Sequence, residues 1–182
     1  GNLVNEGVYV ERIQVGGDLH ANDVTARDGG VDIGGNATIK GELSSEAGDI
    51  VVRGVLHAAS IATRTGDIVL MAETHTGDIT SGGAFSSKGL LEAIHIKAAG
   101  TITLGGATTA TSLRGDIVDV QGPALTIKVI QGRSAIRVVC NHIQADMLIA
   151  PQVEIGTSTR GRITVVESHN DLGATAVKGC LT

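Results

Sequence analysis

The chain has 182 residues, of which 42% are hydrophobic but only 1% aromatic, and it carries a formal net charge of −5 at pH 7. That balance, with no extended Lys/Arg cluster, excludes a nucleic-acid groove, which needs a basic stripe and stacking rings; no apolar run is long enough to span a membrane. With Tyr9 and Phe85 as the only rings and no Trp, it also excludes the usual globular interior, which fills irregular space with large side chains.

In chain order, apolar residues come in pairs two apart. They begin at Val8/Val10, Ile13/Val15, Leu19/Ala21, Val24/Ala26, Val31/Ile33 and Ala37/Ile39, and continue through Ile50/Val52, Ile68/Leu70, Ile94/Ile96 and Ile102/Leu104. The last third carries Leu125/Ile127/Val129, Ile136/Val138, Ile143/Ala145, Met147/Ile149, Val153/Ile155 and Ile163/Val165. Spacing two is the strand period, with one face turned inward. Each run is short and ends at a polar or glycine corner. Lys88-Gly89-Leu90-Leu91-Glu92-Ala93 comes nearest to a helical stripe and is too short to stand as one. The two prolines, Pro123 and Pro151, suit a chain whose parallel ladders need an N–H at nearly every position.

The chain also repeats. Gly-Asp-Ile stands at Gly48-Asp49-Ile50, Gly66-Asp67-Ile68, Gly77-Asp78-Ile79 and Gly115-Asp116-Ile117, with a near-copy at Gly17-Asp18-Leu19. Glycines at 17, 30, 48, 66, 83, 100, 115 and 132 succeed one another in steps of 13, 18, 18, 17, 17, 15 and 17. A turn glycine followed by a β-branched run at this period is the mark of a solenoid. The expected fold is all-β: a single-stranded parallel β-helix with a corner about every six residues and roughly 17–18 residues per coil. It should run from about Val8 to Val166, with Ile50, Ile68, Ile102, Ile117 and Ile136 inside, and measure roughly 45 Å end to end. The inward series Val24, Val31, Ala37, Leu43, Ile50, Leu56, Ile61, Ile68 is unevenly spaced. It departs from the strict six-residue beat of the left-handed form and favours the right-handed one. Residues 1–182 read as one domain, in which 167–182 lose the pairing and form a cap or the start of an extension.

Candidate chemistry is sparse. Stacked aspartates (Asp18, Asp49, Asp67, Asp78, Asp116) invite a calcium reading, but each motif supplies one Asp after one Gly rather than the packed ligands of a calcium β-roll. The favoured role is a corner in which Asp bonds the next backbone N–H. His20, His57, His75, His95, His142 and His169 stand in scattered contexts without a Glu at ligand spacing and read as surface residues. His57 and His75, 18 apart, should lie one above the other on adjacent coils. Sugar-cleaving β-helices need long loops and aromatic platforms that are missing, and no Gly-rich loop opens a helix to cradle phosphate. Glu73-Thr74-His75-Thr76 and Ser81, Ser86 and Ser87 read as corner residues. Cys140, inside Ile136-Arg137-Val138-Val139-Cys140, reads as a buried free thiol, and with Cys180 makes too few for a disulfide framework. No catalytic, cofactor or metal residue is expected.

The unit Gly48-Asp49-Ile50-Val51-Val52-Arg53-Gly54-Val55-Leu56-His57-Ala58-Ala59-Ser60-Ile61-Ala62 resembles the repeat of the flagellar assembly protein A family. The likeness is close over that unit and looser over much of the chain. Bactofilin-type filament formers and adhesin-like β-helix domains look similar at the same level. The resemblance implies a parallel β-helix in a cytoplasmic, non-enzymatic bacterial protein of flagellar assembly or polar regulation, and it brings no catalytic residue. The resulting expectation is a scaffold that binds a protein partner, without nucleic acid or membrane insertion. The alternative is a self-assembling polymer of bactofilin or adhesin type, and a hexapeptide-type transferase stands further off. No charged-then-apolar leader precedes the first coil, so the cytoplasm is expected, or the cell surface or secretion if a leader has been removed.

Overall fold

The computed structural model describes residues 3–167, and their side chains from residue 11 onward. The strands begin with β1 (Leu3–Val10), β2 (Ile13–Val15), β3 (Leu19–Ala26), β4 (Val31–Ile33), β5 (Ala37–Ser45) and β6 (Ile50–Val52). Next come β7 (Leu56–Thr63), β8 (Ile68–Leu70), β9 (Thr74–Ser81), β10 (Phe85–Ser87), β11 (Leu91–Glu92) and β12 (His95–Ala98). The set closes with β13 (Ile102–Leu104), β14 (Thr108–Val120), β15 (Ala124–Val138), β16 (His142–Ile149), β17 (Gln152–Ile155) and β18 (Arg160–Glu167). All pairings are parallel, there is no helix among the described residues, and they form a β-solenoid of about 9 turns.

Two ladders run its length. The first stacks β2, β4, β6, β8, β10, β13, the ends of β14 and β15, and β17. Its inward residues form the column Ile13, Val31, Ile50, Ile68, Phe85, Ile102, Val118, Ile136 and Val153, all buried. The second ladder carries the longer strands from β1 to β18 and turns a corner within them, where the pairing register is interrupted and resumes. At that corner the inward residues step by three or four instead of two, as in Ala21 to Val24 and Ile39 to Leu43, so two or three neighbours in succession lie off the inward rows and the chain bends. Three inward rows result, and they enclose one continuous apolar cluster. The expected inward series from Val24 to Ile68 is buried throughout.

Three expectations need correction. Strands do not all stop at corners: β14 has 13 residues and β15 has 15, because both run on past the bend and pair in the first ladder as well. The three-residue step also reverses the face on which the next residues of the strand lie. Ile94 is therefore 52% exposed, Val165 is exposed and Val129, Met147 and Ile149 are half-buried, while Ile96, Ile130, Leu148 and Ala150 point inward. Finally, Ile117 is 38% exposed, not inside. Ladder partners along the first face lie 18, 19, 18, 17, 17, 16, 18 and 17 apart, and the short coil is the one from Ile102 to Val118. Gly115 still belongs to the preceding face, opposite Gly132; the register with β15 shifts between Gly115 and Ile117, and Val118 is the residue that lies over Ile102. The strands begin at Leu3, earlier than expected, and residues 168–182, the greater part of the expected cap, lie outside the described residues.

Candidate functional site

The Gly-Asp-Ile copies do not share one corner. Asp49 and Asp67 stack on the corner that precedes the first face, Asp18 occupies the next corner, and Asp78 lies on the bend within the second ladder, in register with Ser60 and His95. The expected role is a bond to the next residue; the carboxylates of Asp18, Asp49 and Asp67 instead accept from the coil above. Asp49 Oδ1 accepts the Asp67 N–H at 2.8 Å, and Asp67 Oδ1 accepts the Ala84 N–H at 2.7 Å. Asp18 Oδ1 accepts the Asn36 N–H, whose own Oδ1 accepts the Val55 N–H, both at 2.8 Å. A corner kinks the backbone out of the ladder and leaves an N–H without a carbonyl opposite; a short acidic or amide side chain from the coil below supplies the acceptor. Asp116 instead accepts the Ser134 hydroxyl at 2.7 Å.

Hydroxyls do the converse work inside. Thr74, Ser81 and Ser87 are buried strand residues rather than corner residues, though the Ser87 hydroxyl has no hydrogen-bond partner. Ser45 Oγ donates to Gly29 O at 3.0 Å, Thr63 Oγ1 to Gly66 O at 2.6 Å and Ser81 Oγ to Ala84 O at 2.7 Å, which satisfies carbonyls that the corner turns inward.

His57 and His75 are ladder partners, as their spacing predicts, and their rings stack at 5.0 Å with a 5° interplanar angle. The reading that no Glu stands near them is overturned. His75 Nε2 lies 2.6 Å from Glu73 Oε1 and Nδ1 lies 2.8 Å from Glu92 Oε2. Glu73 is on the same side two residues earlier, and Glu92 is the register partner one coil on. Hydrogen bonds to Glu73 and then Glu92 raise the His75 pKa above its ordinary value. An imidazolium that donates through both nitrogens has no lone pair for a metal or for general-base work. His20 lies on the same outward row, two coils before His57 and one after its β1 register partner Val4. His95 Nδ1 pairs with Ser112 Oγ at 2.9 Å on the neighbouring face, His142 begins β16, and His169 lies outside the described residues. No group of three or more His, Cys, Asp or Glu among the described residues is arranged to hold a metal.

Cys140 is a buried free thiol, and desolvation pushes its pKa up; Cys180 lies outside the described residues. An open depression of about 590 Å³ is lined by Glu11, Arg12, Asp28, Asp32 and Asp49 among others. Two of its carboxylates are engaged: Asp32 with Arg53, and Asp49 with the next corner. The stacked ladders and their outward rows define the class, a parallel β-solenoid repeat protein. Comparison with protein-family models, curated proteins and solved structures found no match to the chain.

Proposed function

We propose that the protein is a non-enzymatic β-helix scaffold that binds a protein partner along an outer face. The observation that carries this reading is the outward row that runs from His20 through Thr38, His57, His75, Glu92, Thr109, Thr126 and Gln144 to Arg162. Every member is polar, and the ladder holds each roughly 4.8 Å from the next. A surface fixed by backbone hydrogen bonds loses little entropy on docking, which favours recognition by an extended, repetitive contact. Most of the groups that resemble catalytic types are committed to the coil itself, as Asp49, Asp67, Ser45, Thr63, Ser81 and the clamped His75 illustrate. This weighs against the transferase reading. The resemblance of residues 48–62, which form most of one coil, to the flagellar assembly protein A repeat directs the search for the partner to cytoplasmic flagellar assembly or polar regulation.

Photo-crosslinking residues placed at Thr109 and Thr126 on this row, and at Thr103 on the first face, test the proposal in the native cell. A discrete crosslink to one other protein from Thr109 or Thr126, missing from Thr103, is the expected result. Crosslinks only between copies of this chain would overturn it in favour of a bactofilin-like polymer. Absence of crosslinks from both row positions would also overturn it.

A further inference from the structure

Lys97 and Arg114 are direct partners in the β12–β14 ladder, both exposed on the outer face. Like charges set opposite each other in a sheet repel and cost stability. Among the described residues neither forms an ion pair, although the five pairs present include other surface cations such as Arg53 and Arg137. Arg133, one coil further, leans back over them and donates through Nη2 to the Ala99 carbonyl, 34 residues earlier in the chain. The three cations border a recess of about 230 Å³ whose remaining lining is Ala98, Ala99 and Gly115, all too small to fill it. The row that holds Lys97 and Arg114 continues to Thr80 on one side and Gln131 on the other, hydrogen-bonding but uncharged. Asp116 is the carboxylate that approaches, with Oδ1 4.0 Å from Arg133 Nε and already accepting from Ser134. Three cations therefore meet one carboxylate, on a chain whose net charge is −5.

We propose that Lys97, Arg114 and Arg133 form a binding site for a phosphoryl group. A dianion placed between Lys97 and Arg114 turns their repulsion into attraction. Cations one strand spacing apart, roughly 4.8 Å, can each donate to a different oxygen of one tetrahedral anion. Arg114 offers a planar fork that grips two oxygens at once, Arg133, engaged through Nη2 with the Ala99 carbonyl, adds its charge and its remaining donors, and a recess this small takes the phosphoryl end of a ligand rather than the whole of a large one. The ligand is free phosphate or a phosphate monoester. The site stands independently of the scaffold reading.

Calorimetric titration of the folded chain at low salt with inorganic phosphate, phenyl phosphate and acetate tests it, with Arg114→Gln, Lys97→Gln and the distant Lys40→Gln as variants. Saturable phosphate binding is expected, weakened at least tenfold by Arg114→Gln and by Lys97→Gln and unchanged by Lys40→Gln. Tighter binding of phenyl phosphate assigns a monoester, and equal binding assigns the free anion; both support the site. The thermal midpoint of Arg114→Gln without phosphate should match or exceed that of the parent, because a like-charge neighbour has gone, so lost binding is not lost folding. Binding that fails to saturate, acetate binding as tight as phosphate, or equal loss in Lys40→Gln would overturn the proposal.

Discussion

Asp67 ties three coils together through two atoms: its N–H donates to Asp49 below, and its Oδ1 accepts from Ala84 above. The next residue, Ile68, is fully buried between Ile50 and Phe85. Ile68→Asp places a charge in an apolar column with no partner and should cost several kcal/mol. Asp67→Ser removes one exposed acceptor and should cost about 1 kcal/mol. Urea melts of the two variants check the order, and a reversed order would mean that the inward register is wrong. His75 supplies a pH prediction. Its pKa is raised in the folded state, so the fold binds the proton more tightly than the unfolded chain does. The resulting stabilisation is complete below the unfolded value of 6.5 and is lost as pH rises through the higher folded value. The melting temperature of the parent should therefore fall relative to that of His75→Gln as pH rises from about 6 to 9, with the difference shrinking in salt because the side chains are partly exposed. The stack of His57 on His75 was legible from an 18-residue spacing. The bond from Asp67 to Ala84 and the clamp from Glu92 were not, because each partner lies 17 residues on, and a register has to be known before such a pair can be seen.

Within each coil the inward pairs at spacing two were readable because they face a column that admits only apolar side chains. The bend of the second ladder was not. Its three-residue step carries no glycine or proline signal in sequences such as Ala21-Asn22-Asp23-Val24 or Ile127-Lys128-Val129-Ile130, and it moves Val129 and Met147 off the inward rows. Ile117 was misplaced for a related reason: its Gly-Asp-Ile text copies the others, but its coil is one residue shorter than the preceding one and two shorter than the next. Glycine spacing, by contrast, reports a steric fact. Gly30, Gly48, Gly66, Gly83 and Gly100 stack at one corner where backbones nearly touch. A Cβ on Gly66 would lie 2.1 Å from the Gly48 carbonyl oxygen, and Gly48 itself has φ +122°. Gly66→Ala should therefore destabilise by more than about 1 kcal/mol, since the backbone of two coils must move. Gly16→Ala is the matched control, with no atom within 4 Å of the added carbon, and should change stability by less than about 0.5 kcal/mol. Equal thermal melts for the two variants would show that the corner is looser than its contacts.

Across the whole molecule, the backbone ladders join only consecutive coils, so stability is a sum of coil terms and nearest-neighbour interfaces rather than one all-or-none core. A lesion at Ile68 should then divide the solenoid. On its C-terminal side the first face still stacks β13, the ends of β14 and β15, and β17, above the roughly three repeats a solenoid needs to persist. On its N-terminal side, once β6 is lost with β8, only β2 and β4 remain on that face, short of that number. Hydrogen exchange of Ile68→Asp in mild urea should show lost protection from Ile50 to Ser87, partial loss in β2 to β5, and near-parent protection from Ile102 to Ile155. The asymmetry arises from coil count alone, because the column on both sides is built of the same Ile, Val and Leu residues. Uniform loss of protection along the chain would mean that the coils melt together and that coupling reaches beyond nearest neighbours. Arg133, which bonds across two coils to Ala99, would then be the first long-range link to remove, as Arg133→Gln.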